Sequence, residues 1–531
     1  MKQLPKMLGQ PTSLDHLHAD FRWDIPHAYN MGVDVCDKWA ATDPERVAII
    51  DLECGSRITF AQLKKMSDTL AMELRAKGIG FGDPVGVLRS QSAWTAAAHI
   101  AIWKLGAISM PLFGLFRAEA LKMRLSDSAA KVVVSEPDFA QNILGIRRQL
   151  PDLAHVIIPE TMADRPALRN FVPEQTSAED PALLIYTSGT TGDPKGALLA
   201  QRVLLGHLPG VEMSHNFLPQ ASDRFWTPAD WAWIGGLLDV LMPALHHGIS
   251  VVAKRMAKFD AQACKQLIEE NAVRNVFFPP TVLKVLKSEQ TQIKGLRSVA
   301  SGGEPLGEEL LAWGRTALGL EINEFYGQTE CNMTVSACGD IYETPAGSTG
   351  RAVIGHRVSV LDADGNETME EGEIAVHRDS PSMMLKYWKN PIATSDKYSS
   401  DWMLTGDRGV LRDGFVYFLG RDDDVISSAG YRIGPSMIEN CLLGHPAVLM
   451  AAVVGKPDES RGEIVKAYVK IHPDFKANSN LEQELKDWVR SRLAAHEYPR
   501  EVSFVEDLPM TITGKIIRKI LKQRACAEAE N

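Results

Sequence analysis

The sequence predicts an α/β fold with largely parallel sheets, followed by a smaller α+β domain. Two observations carry this. Short β-rich runs alternate with amphipathic helical segments through most of the chain. After about residue 340 the composition changes, and the last ~110 residues suffice for a domain with its own core.

Taken in order, "RVAII" (Arg46–Ile50), "PVGVL" (Pro84–Leu88), "KVVVS" (Lys131–Ser135), "HVIIP" (His155–Pro159) and "ISVVA" (Ile249–Ala253) predict strands. Between the first two, Thr59–Gly78 keeps Leu63, Met66, Leu70 and Leu74 at helical spacing and ends at a glycine. The apolar stretch from Trp233 to Val252 is interrupted by Asp239 and two histidines, so it predicts buried core, not a membrane span. "HRVSVLDADGNETMEEGEIAVH" sets the turn pair Asp364-Gly365 between two alternating runs and predicts a β-hairpin. "GRDDDVIS" (Gly420–Ser427) suits an exposed joint. Beyond it, Ala447–Gly455 predicts a strand and Leu481–Glu497 an amphipathic helix.

The 531 residues are 45% hydrophobic and 23% charged, as expected of a globular protein with a sizeable core. A net charge of −10 argues against a general nucleic-acid binder. Seven scattered cysteines with no C-x-x-C suggest neither a disulfide framework nor a zinc site, and a reducing compartment is expected. The N-terminal stretch shows no apolar core of a secretory signal, so a cytoplasmic location is expected.

"YTSGTTGDPKG" (Tyr186–Gly196) has the composition of a phosphate cradle. Glycines let backbone N–H groups approach an anion, hydroxyls can follow phosphate oxygens, and Lys195 supplies a cation. It is not the usual nucleotide loop. Pro194 stands where that loop needs its second glycine, and Gly196 follows Lys195 where a hydroxyl residue is required.

The stretch resembles the signature of the acyl-adenylate-forming enzymes: acyl-CoA synthetases, adenylation domains of peptide synthetases, and luciferase. Five further motifs follow in the family's order: "SGGEP" (Ser301–Pro305), "EFYGQTE" (Glu324–Glu330), "LTGDRG" (Leu404–Gly409), "GRDDDVISSAGYRIGPSMIE" (Gly420–Glu439) and "PMTITGKIIRK" (Pro509–Lys519). The resemblance covers essentially the whole chain and is nearest the short- and medium-chain acyl-CoA synthetases. It implies a large N-terminal domain (1–420) of α/β subdomains plus a β-barrel-like subdomain, a hinge (421–424) at Asp423, and a small mobile α+β domain (425–531).

The resemblance also implies an ATP site. Thr187, Ser188, Gly189, Thr190, Thr191, Gly192 and Lys195 would hold the β- and γ-phosphates. Gly303, Glu304 and Pro305 would lie beside adenine, with Tyr326 as the stacking face and Gly327 and Gln328 adjoining. Thr329 would donate to the α-phosphate, and Glu330 is a hard oxygen ligand suited to Mg²⁺. Asp407 and Arg421 would meet the ribose. Lys515 matches the lysine that enters for adenylation, where an ammonium offsets accumulating negative charge. Ser428, Ala429 and Gly430 would then line the passage for the pantetheine arm of coenzyme A, while Arg432 would touch phosphate in the first state.

The expected reaction joins a carboxylic acid to ATP, giving acyl-AMP and pyrophosphate, and then to coenzyme A. The alternatives are transfer to a carrier protein's pantetheine and a non-catalytic nucleotide-binding relative. Trp231, Trp233, Ile234, Gly235 and Gly327 are the expected acyl-pocket positions, the two tryptophans being equally compatible with plain core packing. Acetate-specific members carry a Trp at the position of Gly327, so a medium-chain, branched or aryl acid is expected. A homo-oligomer remains open.

Overall fold

The computed structural model describes residues 6–9, 13–162, 171–187, 194–421, 424–428, 431–458, 461–493, 498–511 and 515–529, with the backbone alone for Ser427, Tyr431 and Arg432. Three sheets organise them. One holds seven strands in the order Lys386–Tyr387, Lys195–Ala200, Pro181–Thr187, Ile108–Leu112, Pro84–Leu88, Val132–Ser135 and His155–Ile157. Its last five are parallel, and the first two join antiparallel.

A larger sheet of fourteen strands changes character along its width. Ile322–Gln328, Ser298–Gly302, Asn275–Phe277, Arg224–Trp226, Ser250–Ala253 and Val47–Asp51 run parallel. From Ile322–Gln328 outward the ladder becomes antiparallel, through Asn332–Ser336, Gly350–Ala352, Phe415–Arg421, Trp402–Arg412 and Gly372–His377 to Val358–Leu361. Ile322–Gln328 thus belongs to both regimes. The third sheet takes its strands only from residue 426 onward, and pairs Val448–Asp458 with Gly462–Ile471 over its longest ladder.

Local chemistry explains the elements that match expectation. Phe60–Ala76 is a helix because Thr59 caps it and Gln62 reaches back to the Thr59 amide, a reciprocal box. It buries Phe60, Leu63, Leu70 and Leu74. Pro84–Leu88 forms as read, and Val358–Leu361 pairs with Gly372–His377 across a turn in which Asp362 accepts from the amides of Asp364 and Asn366. The amphipathic helix of the last domain spans Ser479–Arg490, shorter than its pattern suggested, and starts at an Asn478 cap. The Trp233–Val252 stretch is buried core, and no described helix is long and apolar enough to cross a membrane. Asp423, Ala429 and Gly430 lie outside the described residues.

Candidate active site

The C-terminal ends of Pro181–Thr187, Ser298–Gly302 and Ile322–Gln328, with Phe113 just past Ile108–Leu112, border one cleft of about 1810 Å³, the usual ligand position in open α/β sheets. Thr187 and Lys195 end two antiparallel strands and pair with each other, anchoring both ends of the hydroxyl-rich loop. Ser188, Gly189, Thr190, Thr191 and Gly192 themselves lie outside the described residues. Gly303 ends the Ser298–Gly302 strand at φ +100°, which glycine tolerates, and Glu304 and Pro305 follow it along the cleft.

Tyr326 to Glu330 border the same cleft from the Ile322–Gln328 strand and the turn after it. The Tyr326 phenol donates to Asp407 Oδ2 at 2.6 Å, and the Gln328 amide donates to the same oxygen at 2.8 Å. Both bonds leave Asp407 Oδ1 toward Arg421, whose Nε stands 3.8 Å away. Burial pushes the Asp407 carboxyl above its ordinary value against the opposing pull of Arg421 and its two donors. Gln328, expected at the nucleotide, is thus committed to Asp407 and to the Thr405 carbonyl. It borders the cleft beside Asp407.

Glu330 is buried and accepts from the Tyr387 hydroxyl at 2.6 Å. The Lys195 ammonium lies 5.5 Å from the centroid of that same Tyr387 ring. No three metal-ligating side chains cluster among the described residues. The donor set therefore fits Mg²⁺ held by one carboxylate plus ligand phosphates, and not by an all-protein cage.

Lys515 enters from the last domain. Thr511 holds it: the Lys515 amide donates to Thr511 Oγ1 at 3.0 Å, and its carbonyl accepts from the Thr511 amide at 2.6 Å. Its Cε lies 3.6 Å from the Cβ position of Gly303, so the side chain reaches across the domain boundary. It faces the solvent of the cleft, yet desolvation between the domains draws its ammonium below the ordinary value, opposed by Glu304, Asp407 and Glu330.

The acyl-pocket expectations divide. Trp233 and Gly327 border the cleft, but Trp231, Ile234 and Gly235 do not. Trp231 and Ile234 belong to the hydrophobic core. Gly235 lies behind Trp233, where an added Cβ would meet Phe277 and the Trp233 ring. The cause is a turn: Asp230 accepts from the Ala232 amide, and its carbonyl accepts from Trp233, so the two tryptophans do not share a face. Desolvation pushes the Asp230 carboxyl to about 6.

Gly327 corrects the reason given for it. An added Cβ would lie 1.6 Å from the Asn332 carbonyl oxygen. The glycine is required by the irregular pairing of the Tyr326/Gly327 step with the returning strand, so the position is not an emptied side-chain site. Ser428 is buried in its own sheet and does not border the cleft in this domain arrangement, and the Arg432 side chain lies outside the described residues.

Several residues escaped the sequence. Tyr387 supports Glu330 from a strand 57 residues on. Phe116 and Arg124 form a wall beside Tyr186. Asp239, in one turn of π-helix, accepts from Asn332 Nδ2 at 2.7 Å and so braces the turn that carries Thr329 and Glu330. Glu324 borders the cleft with its carboxyl pushed to about 8 by burial. Only the isolated Asp239 in an apolar run was a visible signal.

Comparison with known proteins agrees with this geometry. A family model described as AMP-binding enzyme matches residues 36–388, and one described as AMP-binding enzyme C-terminal domain matches 437–515. Human mitochondrial acyl-coenzyme A synthetase ACSM4 is 34% identical, over 97% of this chain and 94% of its own. Acetyl-coenzyme A synthetase of Bacillus subtilis (strain 168) is 31% identical over 89% and 86%. The crystal structure of the anthranilate CoA ligase AuaEII with anthranoyl-AMP superposes with a TM-score of 0.89 at 28% identity, covering 96% of this chain and 99% of that one. The chain belongs to the AMP-binding enzyme family, among its AMP-forming acyl-CoA synthetases.

Proposed function

We propose that the enzyme converts a hydrophobic carboxylic acid larger than acetate to its acyl-CoA through an acyl-adenylate. The observation that carries this is Lys515 reaching Gly303 across the domain boundary, in a cleft that also gathers Thr187, Lys195, Tyr326, Thr329, Glu330 and Asp407. In the first step the acid's carboxylate oxygen bonds to the α-phosphorus as the bond to the bridging oxygen breaks, and pyrophosphate leaves. Thr329 donates to the α-phosphate, and Lys515 offsets the charge that builds there. Tyr326 provides the adenine face, while Asp407 Oδ1 and Arg421 take the ribose. Glu330 would hold Mg²⁺, which supplies neutralisation of phosphate charge. In the second step the coenzyme A thiol takes the acyl group and AMP leaves. That requires Lys515 to withdraw, by rotation at the expected hinge between the two domains.

The choice of acid rests on Trp233, Ala232 and Phe325 as apolar cleft surface beside the bare backbone of Gly303. Each buried methylene adds about 0.8 kcal/mol of binding. Family membership alone does not fix the acid: relatives of comparable identity are named for acetate and for anthranilate. A panel from acetate to octanoate with branched and aryl acids, read by coenzyme A-dependent AMP release, tests the proposal. Efficiency should rise with apolar size. Acetate as the best substrate, or AMP release indifferent to free coenzyme A, would overturn it.

A further inference from the structure

Arg124 borders the cleft and takes no part in the steps proposed above. Arg124 lies on the Ala118–Ser128 helix and is 7% exposed. Its guanidinium rests 4.0 Å from the Phe116 ring centroid and 5.8 Å from that of Tyr186. One N–H donates to the Ala120 carbonyl of its own helix at 2.8 Å. Among the described residues no carboxylate lies within 4 Å of it. The neighbouring carboxylate, Asp127, already accepts from the Tyr186 hydroxyl at 2.6 Å. A charge buried without a counter-charge is costly, and its persistence calls for an anion from outside the chain.

We infer that Arg124 is a phosphate-binding residue of the cleft wall that receives the pyrophosphate released on adenylation; this rests on the adenylation step proposed above. Tyr186, whose ring adjoins Arg124, immediately precedes Thr187, and Thr187 pairs with Lys195. Arg124 therefore stands beside the strand that ends at the Thr187–Lys195 pair. The acid's apolar wall is a different set, Trp233 and Phe325, on other segments of the chain. A guanidinium fork matches phosphate oxygens better than an ammonium does. Burial draws the Arg124 guanidinium down to about 10, which leaves it charged at neutral pH. Its charge would meet the two phosphoryl groups as the bridging oxygen takes the bonding pair and departs.

Coenzyme A also carries phosphates, so the test separates the two sources. Acid-dependent ATP–pyrophosphate exchange, which needs no coenzyme A, is measured for the wild type, R124Q and R124K. The thioester step is measured from supplied acyl-AMP with coenzyme A or phosphate-free pantetheine. R124Q should raise the KM for pyrophosphate about tenfold with the KM for the acid unchanged, and R124K should fall between. Should R124Q not fold, R124K is decisive, because it keeps the charge and loses the fork. A pyrophosphate KM equal to wild type refutes the inference. So does a KM that rises only for coenzyme A and not for pantetheine, which would assign the anion to that substrate. A wild type without acid-dependent exchange sinks the adenylation proposal itself, an outcome distinct from an active wild type whose variants are unaltered.

Discussion

Replacing Gly327 with alanine separates two accounts of the same glycine. If the position faces the acyl group, a methyl shortens the pocket: large acids suffer and acetate does not. The structure predicts otherwise. The new Cβ would stand 1.6 Å from the Asn332 carbonyl oxygen, less than half the ordinary separation of about 3.5 Å, and 2.3 Å from its carbon. The obstacle is backbone, which cannot rotate away as a side chain would. Relief requires Gln328 and Asn332, paired across the hairpin, to part by more than 1 Å, and Thr329 and Glu330 lie between them. Overpacking of this kind costs about 3 kcal/mol of stability. Misplacing catalytic groups by about 1 Å costs on the order of a hundredfold in rate. Exchange of pyrophosphate into ATP, measured for Gly327→Ala with acetate, hexanoate, octanoate and benzoate, should therefore fall by about that factor for every acid alike. Full activity on acetate with loss on octanoate would show that the methyl points into the acyl site and would refute the reasoning.

Lys515→Ala should abolish acyl-AMP formation while sparing thioester formation from supplied acyl-AMP, and equal loss of both half-reactions would remove Lys515 from its assigned step. Tyr387→Phe deletes the hydroxyl on Glu330. A hydrogen bond to a buried carboxylate is worth about 1.5–3 kcal/mol, so the variant should melt earlier and need more Mg²⁺ for half-maximal exchange. An unchanged Mg²⁺ dependence would argue against Glu330 as the metal's ligand. Stability should also fall as pH rises. Glu212 is fully buried, accepts from the amides of Met7 and Leu8, and has its carboxyl pushed to about 8 by desolvation, with His247 Nε2 3.5 Å away. The unfolded chain releases this proton near 4.5 and the folded one near 8, so its contribution is complete below 4.5 and lost through 8. Between pH 6 and 9 the loss is roughly 2–3 kcal/mol. Denaturant melts of Glu212→Gln should show a flatter dependence over that window, and parallel curves would contradict the assignment.

The strands of the parallel sheets were legible because buried strands read as short apolar runs between turn residues. The residues proposed for the nucleotide could be named because each lies within a contiguous motif. What the sequence hid depends on direction and distance. Trp231 and Trp233 share an alternation that suggests a common face, and only the Asp230 turn sends one into the core. Gly327 is informative as a glycine, but its reason is a carbonyl five residues ahead that comes near only when the hairpin closes. Tyr387 and Arg124 approach from remote segments, and no local pattern marks a side chain whose purpose is to meet another part of the chain. Asp239 stood out as an acid in an apolar run, yet its partner Asn332 could not be named without the fold.

The Ile322–Gln328 strand is hydrogen-bonded on both edges, to a parallel neighbour on one side and an antiparallel one on the other. Its amides should therefore be among the slowest to exchange with deuterium, and Tyr326, the proposed adenine face, is carried on it. Lys515 is held instead by two hydrogen bonds to Thr511, beside the isolated Met510–Ile516 bridge and outside the three sheets. Under the proposed roles the nucleotide would rest on a strand bonded along both edges, and the lysine would come from a segment outside the sheets. A catalyst of the kind proposed, which must retain AMP through two steps and dismiss a lysine between them, would be served by that division.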